Sequence, residues 1–135
     1  MTAWLGVVSA DHVRGGCALG IAQISHGARG PLARMLAGDS LTYYSPTEHR
    51  GDSNPLRAFT AIAMLPDDEI WQADEGVFRP YRRHANYLVT VSVPLEEVRA
   101  DLHLTSKPNW GYQLRRGLIP LAPSDADLLR ERMVR

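Results

Sequence analysis

Short β-prone runs stopped by glycine, proline or small polar residues recur along this chain, and their spacing restricts it to a strand-rich fold with brief connections. AWLGVVS at 3–9 reads as a buried first strand, and IAQIS at 21–25 as a short second one. LTYYS at 41–45 has strong β propensity. RAFTAIAML at 57–65 alternates apolar with smaller or polar residues, as a half-buried strand does. EIWQA at 69–73 follows a Pro66-Asp67-Asp68 turn, and residues 77–93 hold two further runs, around VFRPY and NYLVTVSV. The polar stretch Pro46 to Pro55 reads as an exposed loop.

Short helices fit between these runs. One starts at Ser9 or Asp11, and Gly15-Gly16 weakens it and is placed to end it. Pro31 suits the first turn of a helix over Pro31–Ala37. Pro94 to Ala100 has room for one or two helical turns, and Asn109 to Arg116 for a short helix closed by Gly117. The last helix is expected over Ser124–Val134, with Ser124 as N-cap and Asp127 completing a weak capping box. Leu128, Leu129 and Met133 give it an apolar face, and Glu131 with Arg135 a favourable i,i+4 pair. The expected class is α+β: a β-barrel of five or six strands with short peripheral helices, in one domain over 1–135.

Its 135 residues suit a single core. No apolar run approaches the roughly 18 residues that span a bilayer. The start, Met1-Thr2-Ala3-Trp4, lacks the basic flank and apolar core of a secretory signal. Cys17 is the only cysteine and is expected to pack as a small hydrophobe. Together these features suggest a reducing cytoplasm and no membrane partner. Zero formal net charge argues against non-specific duplex binding, which draws on a basic face, but leaves room for a local groove. Arginine supplies 14 of the 15 basic residues and Lys107 the other. A GC-rich genome accounts for that bias; selection for planar forks that bind phosphate and stack on bases is the functional alternative.

Five strings taken in order carry a family likeness: AWLGVVSADHVRGG, ISHGARGPLARMLAGDSLTYYSP, LRAFTAIA, FRPYRRHANY and NWGYQLRRGLIPL. The series resembles the EVE domain family in its short bacterial branch, from Trp4 to about Leu129. Two departures are visible: Ala63 stands where a glycine often follows FTAI, and the loop around His49–Asn54 is shorter and more polar. The resemblance implies a PUA-like barrel related to YTH domains, and recognition of a modified base in DNA or RNA without catalysis.

A pocket for a flipped base needs flat walls and a few polar groups that read the base edge. Trp4, in the most apolar strand, is expected in the core. Tyr43 and Tyr44 should face opposite sides of their strand, one into the core and the other free to line a cavity. The expected pocket joins Ser9, Gln23, Ser25, His26, Tyr44, Ser45, Trp110 and Tyr112, several of them placed by the family likeness. Each has a plainer reading: helix cap, loop histidine, turn residue or core aromatic. Arg79, Arg82, Arg83 and Arg115 are candidates for phosphates beside the base, or else solvated faces.

Enzymatic readings find little support. No nucleophile elbow, P-loop or dinucleotide fingerprint is present, and no histidine or cysteine spacing suits zinc. No cofactor is called for. A PUA-like amidohydrolase of the ASCH type would need a catalytic lysine, and Lys107 is the only candidate. A protein-interaction module whose aromatics are all core is a third reading. Oligomeric state is not encoded in any motif found.

Overall fold

A computed structural model describes residues 1–135 throughout. It is mixed α+β, with nine short strands in two sheets. The strands are β1 (Ala3–Val7), β2 (Ile21–Ala22), β3 (Ser40–Ser45), β4 (Ala58–Met64), β5 (Ile70–Gln72), β6 (Tyr81–His84), β7 (Asn86–Tyr87), β8 (Val93–Pro94) and β9 (Leu118–Pro120). The helices are α1 (Ala10–Leu19), α2 (Arg29–Arg34), α3 (Leu95–Val98), α4 (Trp110–Gln113) and α5 (Pro123–Met133). The larger sheet runs β7-β4-β3-β1-β9, with β8 also paired to β4; the smaller runs β2-β6-β5. The arrangement is barrel-like and open: the expected α+β class with short peripheral helices holds, with nine strands in two sheets where five or six were expected.

Both faces of the larger sheet are covered, so alternate residues enter two cores. Ala3, Leu5, Tyr44, Phe59 and Ile62 pack with α3, Leu102 and the Leu129 and Met133 face of α5. Trp4, Leu41, Tyr43, Ala61 and Ala63 pack on the other side with Val13 of α1, Ala22, Ile24, Leu32 and Ala85. Each fully buried Leu, Ile or Phe contributes about 1.5–3 kcal/mol relative to exposure. This two-sided burial explains why both tyrosines of β3 are core residues. Tyr44 tilts against Phe59, with ring centroids 5.3 Å apart, and Tyr43 stacks on Tyr87 at 6.1 Å.

Several elements differ from expectation for identifiable reasons. Helix α1 runs through Gly15-Gly16 and stops at Gly20, which takes φ of 69°. A Cβ at Gly16 would lie 3.0 Å from the Tyr87 hydroxyl oxygen, so that glycine permits close packing rather than ending the helix. Cys17 is exposed, not packed, because α1 buries only Ala10 and Val13. Helix α2 starts two residues before Pro31 and ends at Arg34. Beyond it, the Leu36 and Ala37 N–H groups donate to Asp39 and Asp68 carboxylates, at 2.8 and 2.7 Å. Helix α5 begins at Pro123 after Ala122, so Ser124 is not its cap, and Arg135 lies beyond its end, where no pair with Glu131 forms. The NYLVTVSV run is split because Val89 and Val91 bond the chain's C-terminal residues instead of a neighbouring strand. No helix is long and apolar enough to cross a membrane.

Candidate functional site

Strands β1 and β3 are parallel, so their C-terminal ends reach the same rim. There the Val7 N–H donates to the Gly117 carbonyl at 2.8 Å and the Val8 N–H to the Tyr44 carbonyl at 3.1 Å. The chain then turns into α1. Ser9 sits at the N-cap position, but its side chain makes no cap bond. The first helical N–H groups, of Ala10 and Asp11, donate to the carbonyls of Thr47 and Glu48, each at 3.0 Å. The 46–51 loop is thereby fastened over the start of α1, and the Arg14–Glu48 ion pair adds a second tie.

The segment after β2 completes the rim. Ser25, His26 and Gly27 have φ of 50°, 60° and 85°, three successive left-handed residues of which two carry side chains. Such geometry costs about 1–3 kcal/mol per non-glycine residue and persists only where the surroundings enforce it. The surroundings here are close. A Cβ on Gly27 would sit 2.4 Å from Pro80 Cβ, and one on Gly117 would sit 2.6 Å from Ser25 Oγ. Gly117 itself has φ of 78°.

These segments enclose an open cleft of about 550 Å³. Ser9 before α1 and His12 within it line the cleft, as do Gln23, Ser25 and His26 from the segment after β2. Pro46, Thr47, Arg50 and Gly51 line it from the loop, and Leu114, Arg115 and Gly117 from the turn before β9. Val7 and Val8 supply apolar surface. The lining holds two arginines and two histidines and no carboxylate, in a chain whose net charge is zero.

The polar groups are held by neighbours outside the cleft. Ser9 Oγ donates to Asp11 Oδ1 at 2.7 Å, so its oxygen is left to accept. Burial alone would raise the Asp11 carboxyl, but hydrogen bonds from Ser9, His49 and the His12 N–H outweigh it and hold it down at about 2. The same bond to Asp11 raises His49 above its usual value. Arg82 Nε donates to Gln23 Oε1 at 3.0 Å, and Arg82 Nη2 to Glu75 Oε2 at 2.9 Å. Arginine has only donors, so the Gln23 amide presents its oxygen to Arg82 and keeps Nε2 as its free donor end. Gln23, His12 and Val8 also line a smaller depression of about 260 Å³ beside α1, with Tyr43, Phe78 and Tyr87.

The structure brings Ser9, Gln23, Ser25, His26 and Arg115 to one cleft and puts the other expected residues elsewhere. Tyr44 is core, and Ser45 is fully buried with its hydroxyl 2.8 Å from that of Thr60. Both follow from cover on each face of β3. Trp110 packs against the first core and lines a separate cavity. Tyr112 is exposed, with the Arg115 guanidinium 5.5 Å from its ring centre. The cleft therefore contains no tryptophan, tyrosine or phenylalanine, and the only aromatic rings in its lining are the imidazoles of His12 and His26.

The arginines separate just as clearly. Arg79 is exposed, and Arg82 is engaged with Gln23 and Glu75. Arg83 is 1% exposed and donates to the carbonyls of Leu32 and Met35, at 2.9 and 2.8 Å, and to that of Asp67. It closes the C-terminal end of α2 and is not placed to hold a phosphate. Nothing in the sequence singles out Thr47 and Arg50 as site residues. The polar 46–55 loop was legible, but nothing local tells that its carbonyls cap α1.

Beyond the cleft, Asp67, Glu69 and His84 place ligand atoms within 4.8 Å of one another. His84 Nδ1 already donates to Asp67 Oδ2 at 2.8 Å, and the Glu69 N–H to Asp67 Oδ1 at 3.0 Å. Those carboxylate oxygens are in use, and the Arg83 guanidinium lies against the same turn.

A family model described as the EVE domain matches residues 2–132. A UPF0310 protein of Renibacterium salmoninarum is 46% identical over 128 residues, which cover 95% of this chain and 92% of that one. Another, from Mesorhizobium japonicum, is 39% identical over 134 residues, covering 96% and 90%. Among solved structures, a hypothetical protein from Leishmania major aligns over 97% of this chain and 94% of its own, with a TM-score of 0.59 at 15% identity. A protein from Agrobacterium tumefaciens aligns over 97% and 92%, with a TM-score of 0.57 at 13% identity. Those two likenesses concern the fold alone. With the family model spanning nearly all of the sequence and relatives this similar along their whole length, the chain belongs to the EVE domain family.

Proposed function

We propose that the cleft binds a modified nucleobase of a DNA or RNA strand and holds the adjoining phosphates, without chemistry on the base. The observation that carries this reading is the acid-free lining, in which Arg50 and Arg115 come from different segments around one cavity. Cations with no carboxylate among them attract a phosphate and need no net positive charge on the whole molecule. The volume of about 550 Å³ falls inside the range of about 300–1,000 Å³ usual for small-molecule sites. Ser9 as acceptor and Gln23 Nε2 as donor are suited to a base edge, which carries both kinds of group. His12 and His26 rings with Val7, Val8 and Leu114 provide the flatter surface. Recognition of nucleic acid is also what the EVE likeness implies.

The amidohydrolase alternative places its one lysine poorly. Lys107 lines the cavity around Trp110, away from Ser9, Gln23 and His26.

The test is a titration against short single- and double-stranded oligonucleotides that each carry one methylated or hydroxymethylated base. At least one should bind about tenfold or more tighter than its unmodified twin. Arg50→Ala with Arg115→Ala should weaken modified and unmodified strands alike and lower the salt slope by about 0.7 per lost phosphate contact on a single strand. His26→Ala should reduce the preference for the modification more than the binding of unmodified strand. Absence of any modification-dependent binding, or an unchanged salt slope in the double variant, sinks the proposal.

A further inference from the structure

We infer that a bound strand continues out of the cleft across the 114–116 turn, and that Lys107 and Arg116 hold its next phosphates in a second basic cavity. This rests on the reading of the cleft as a nucleic-acid site.

Residues Leu114–Arg116 form one 3₁₀ turn, closed by Gly117. Such a turn has three residues per revolution, so neighbouring side chains diverge by roughly 120°. Arg115 and Arg116 accordingly serve two cavities. Arg115 lines the cleft, and Arg116 lines a cavity of about 650 Å³ beside it, together with His103, Lys107, Trp110 and Gln113. The turn is thus a shared wall with a guanidinium on each side.

The second cavity has its own charge logic. Lys107 and Arg116 are exposed. The one acid in its lining is Asp125, which is 2% exposed. Both Asp125 oxygens are taken, accepting the His103 N–H at 2.7 Å and the Leu104 N–H at 2.8 Å. Buried and bonded at both oxygens, Asp125 opposes an anion less than an exposed carboxylate would. The chain has 15 acidic residues against 15 basic ones, yet the exposed charges in these two adjoining cavities are cations, Asp125 being buried. A linear polyanion uses such a pair of neighbouring sites; a single small anion needs only one. Trp110, Pro120 and Leu121 supply apolar surface in the second cavity, where a flanking base could rest.

The experiment compares ligands of two lengths. Fluorescein-labelled nine-nucleotide single strands of DNA and of RNA, each with one central 5-methylcytosine or N6-methyladenine, are titrated beside the matching nucleoside 3′,5′-bisphosphates. Lys107→Ala with Arg116→Ala should bind the bisphosphates as the parent does. It should bind the nine-mers about tenfold more weakly at low salt, with a salt slope shallower by about 1.4, the value for two phosphates on a single strand. The charge-preserving pair Lys107→Arg with Arg116→Lys should restore the slope, which a merely structural role would not produce. Nine-mer affinity and slope equal to the parent's overturn the inference and leave the cleft standing. Equal losses for bisphosphate and nine-mer also overturn it, since the two cavities would then be one site. A parent that binds neither length removes the reading of the cleft and this inference together.

Discussion

Arg82 and Arg83 are adjacent on β6 and have opposite fates, because successive residues of a strand face opposite sides of the sheet. Arg82 turns toward Gln23, and Arg83 turns inward to the carbonyls at the end of α2. Its Nε is the one buried side-chain nitrogen without a partner. Replacing Arg83 with methionine keeps the stem and removes its guanidinium donors to Leu32, Met35 and Asp67, so that the Leu32 carbonyl retains only the Met35 N–H at 3.4 Å. A carbonyl left buried and unpaired costs about 1–3 kcal/mol, so Arg83→Met should destabilise the fold by about 2 kcal/mol or more in urea titration. Arg79→Met, at an exposed position, should change stability by less than about 0.5 kcal/mol. A midpoint for Arg83→Met that matches the parent would return Arg83 to the surface.

At the scale of elements, the cleft depends on how closely the turn after β2 meets the turn before β9. Gly117→Ala would push Cβ onto Ser25 Oγ in a conformation alanine resists. It should cost more than about 1 kcal/mol and displace Ser25 from the cleft. Adding Ser25→Ala removes the clashing oxygen but not the backbone strain, so the double variant should regain part of the loss; the coupling between two contacting sites measures the approach. Gly111→Ala is the control, since nothing lies within 4 Å of a Cβ there. Additive losses from Gly117→Ala and Ser25→Ala would mean that the two turns do not touch in solution. The same scale explains the left-handed residues Ser25 and His26. They are held between Gly27 packed on Pro80 and Gly117 packed on Ser25, and their side chains reach the cleft because of it.

Across the whole molecule, three carboxylates are held below their ordinary range. In each, burial pushes up, and donated hydrogen bonds more than offset it. Asp11 falls from 3.8 to about 2, Asp39 is lowered by the N–H groups of Leu36 and Thr2 and by Trp4, and Asp67 by the Glu69 N–H and His84. A carboxyl with a depressed folded value binds more protons when unfolded. Its contribution is therefore complete above about 3.8 and is lost as pH falls through the folded value, for Asp11 between 3.8 and about 2. Urea midpoints measured from pH 5 to pH 2 should decline across that window. Asp39→Asn should lower the midpoint at pH 5 and flatten the decline, because one linked proton is gone. A decline of equal steepness in Asp39→Asn would deny that carboxylate its role. His49 has the opposite sign: raised by Asp11, it favours the folded state below 6.5 and loses that effect as pH rises through its folded value. Being exposed and screened by solvent, it should leave no visible inflection.

Local chemistry by itself determined the β-rich rhythm, the loop at 46–55, the apolar Leu129–Met133 face of α5 and the strings that carry the EVE likeness. The EVE likeness, rather than local chemistry, pointed to Ser9, Gln23, Ser25 and His26, which with Arg115 lie on segments distant in sequence and line one cleft. Tertiary structure decided the rest. Only the cover on both faces of β3 sends Tyr43, Tyr44 and Ser45 inward, where a single-faced strand would have freed one tyrosine. Only the meeting of β6 with the end of α2 makes Arg83 structural and leaves Arg82 to orient Gln23. Only the carbonyls of Thr47 and Glu48 on α1 bring Arg50 to the rim. Periodicity and propensity act over a few residues, whereas burial and hydrogen-bond closure are settled by whichever distant segment arrives to provide them.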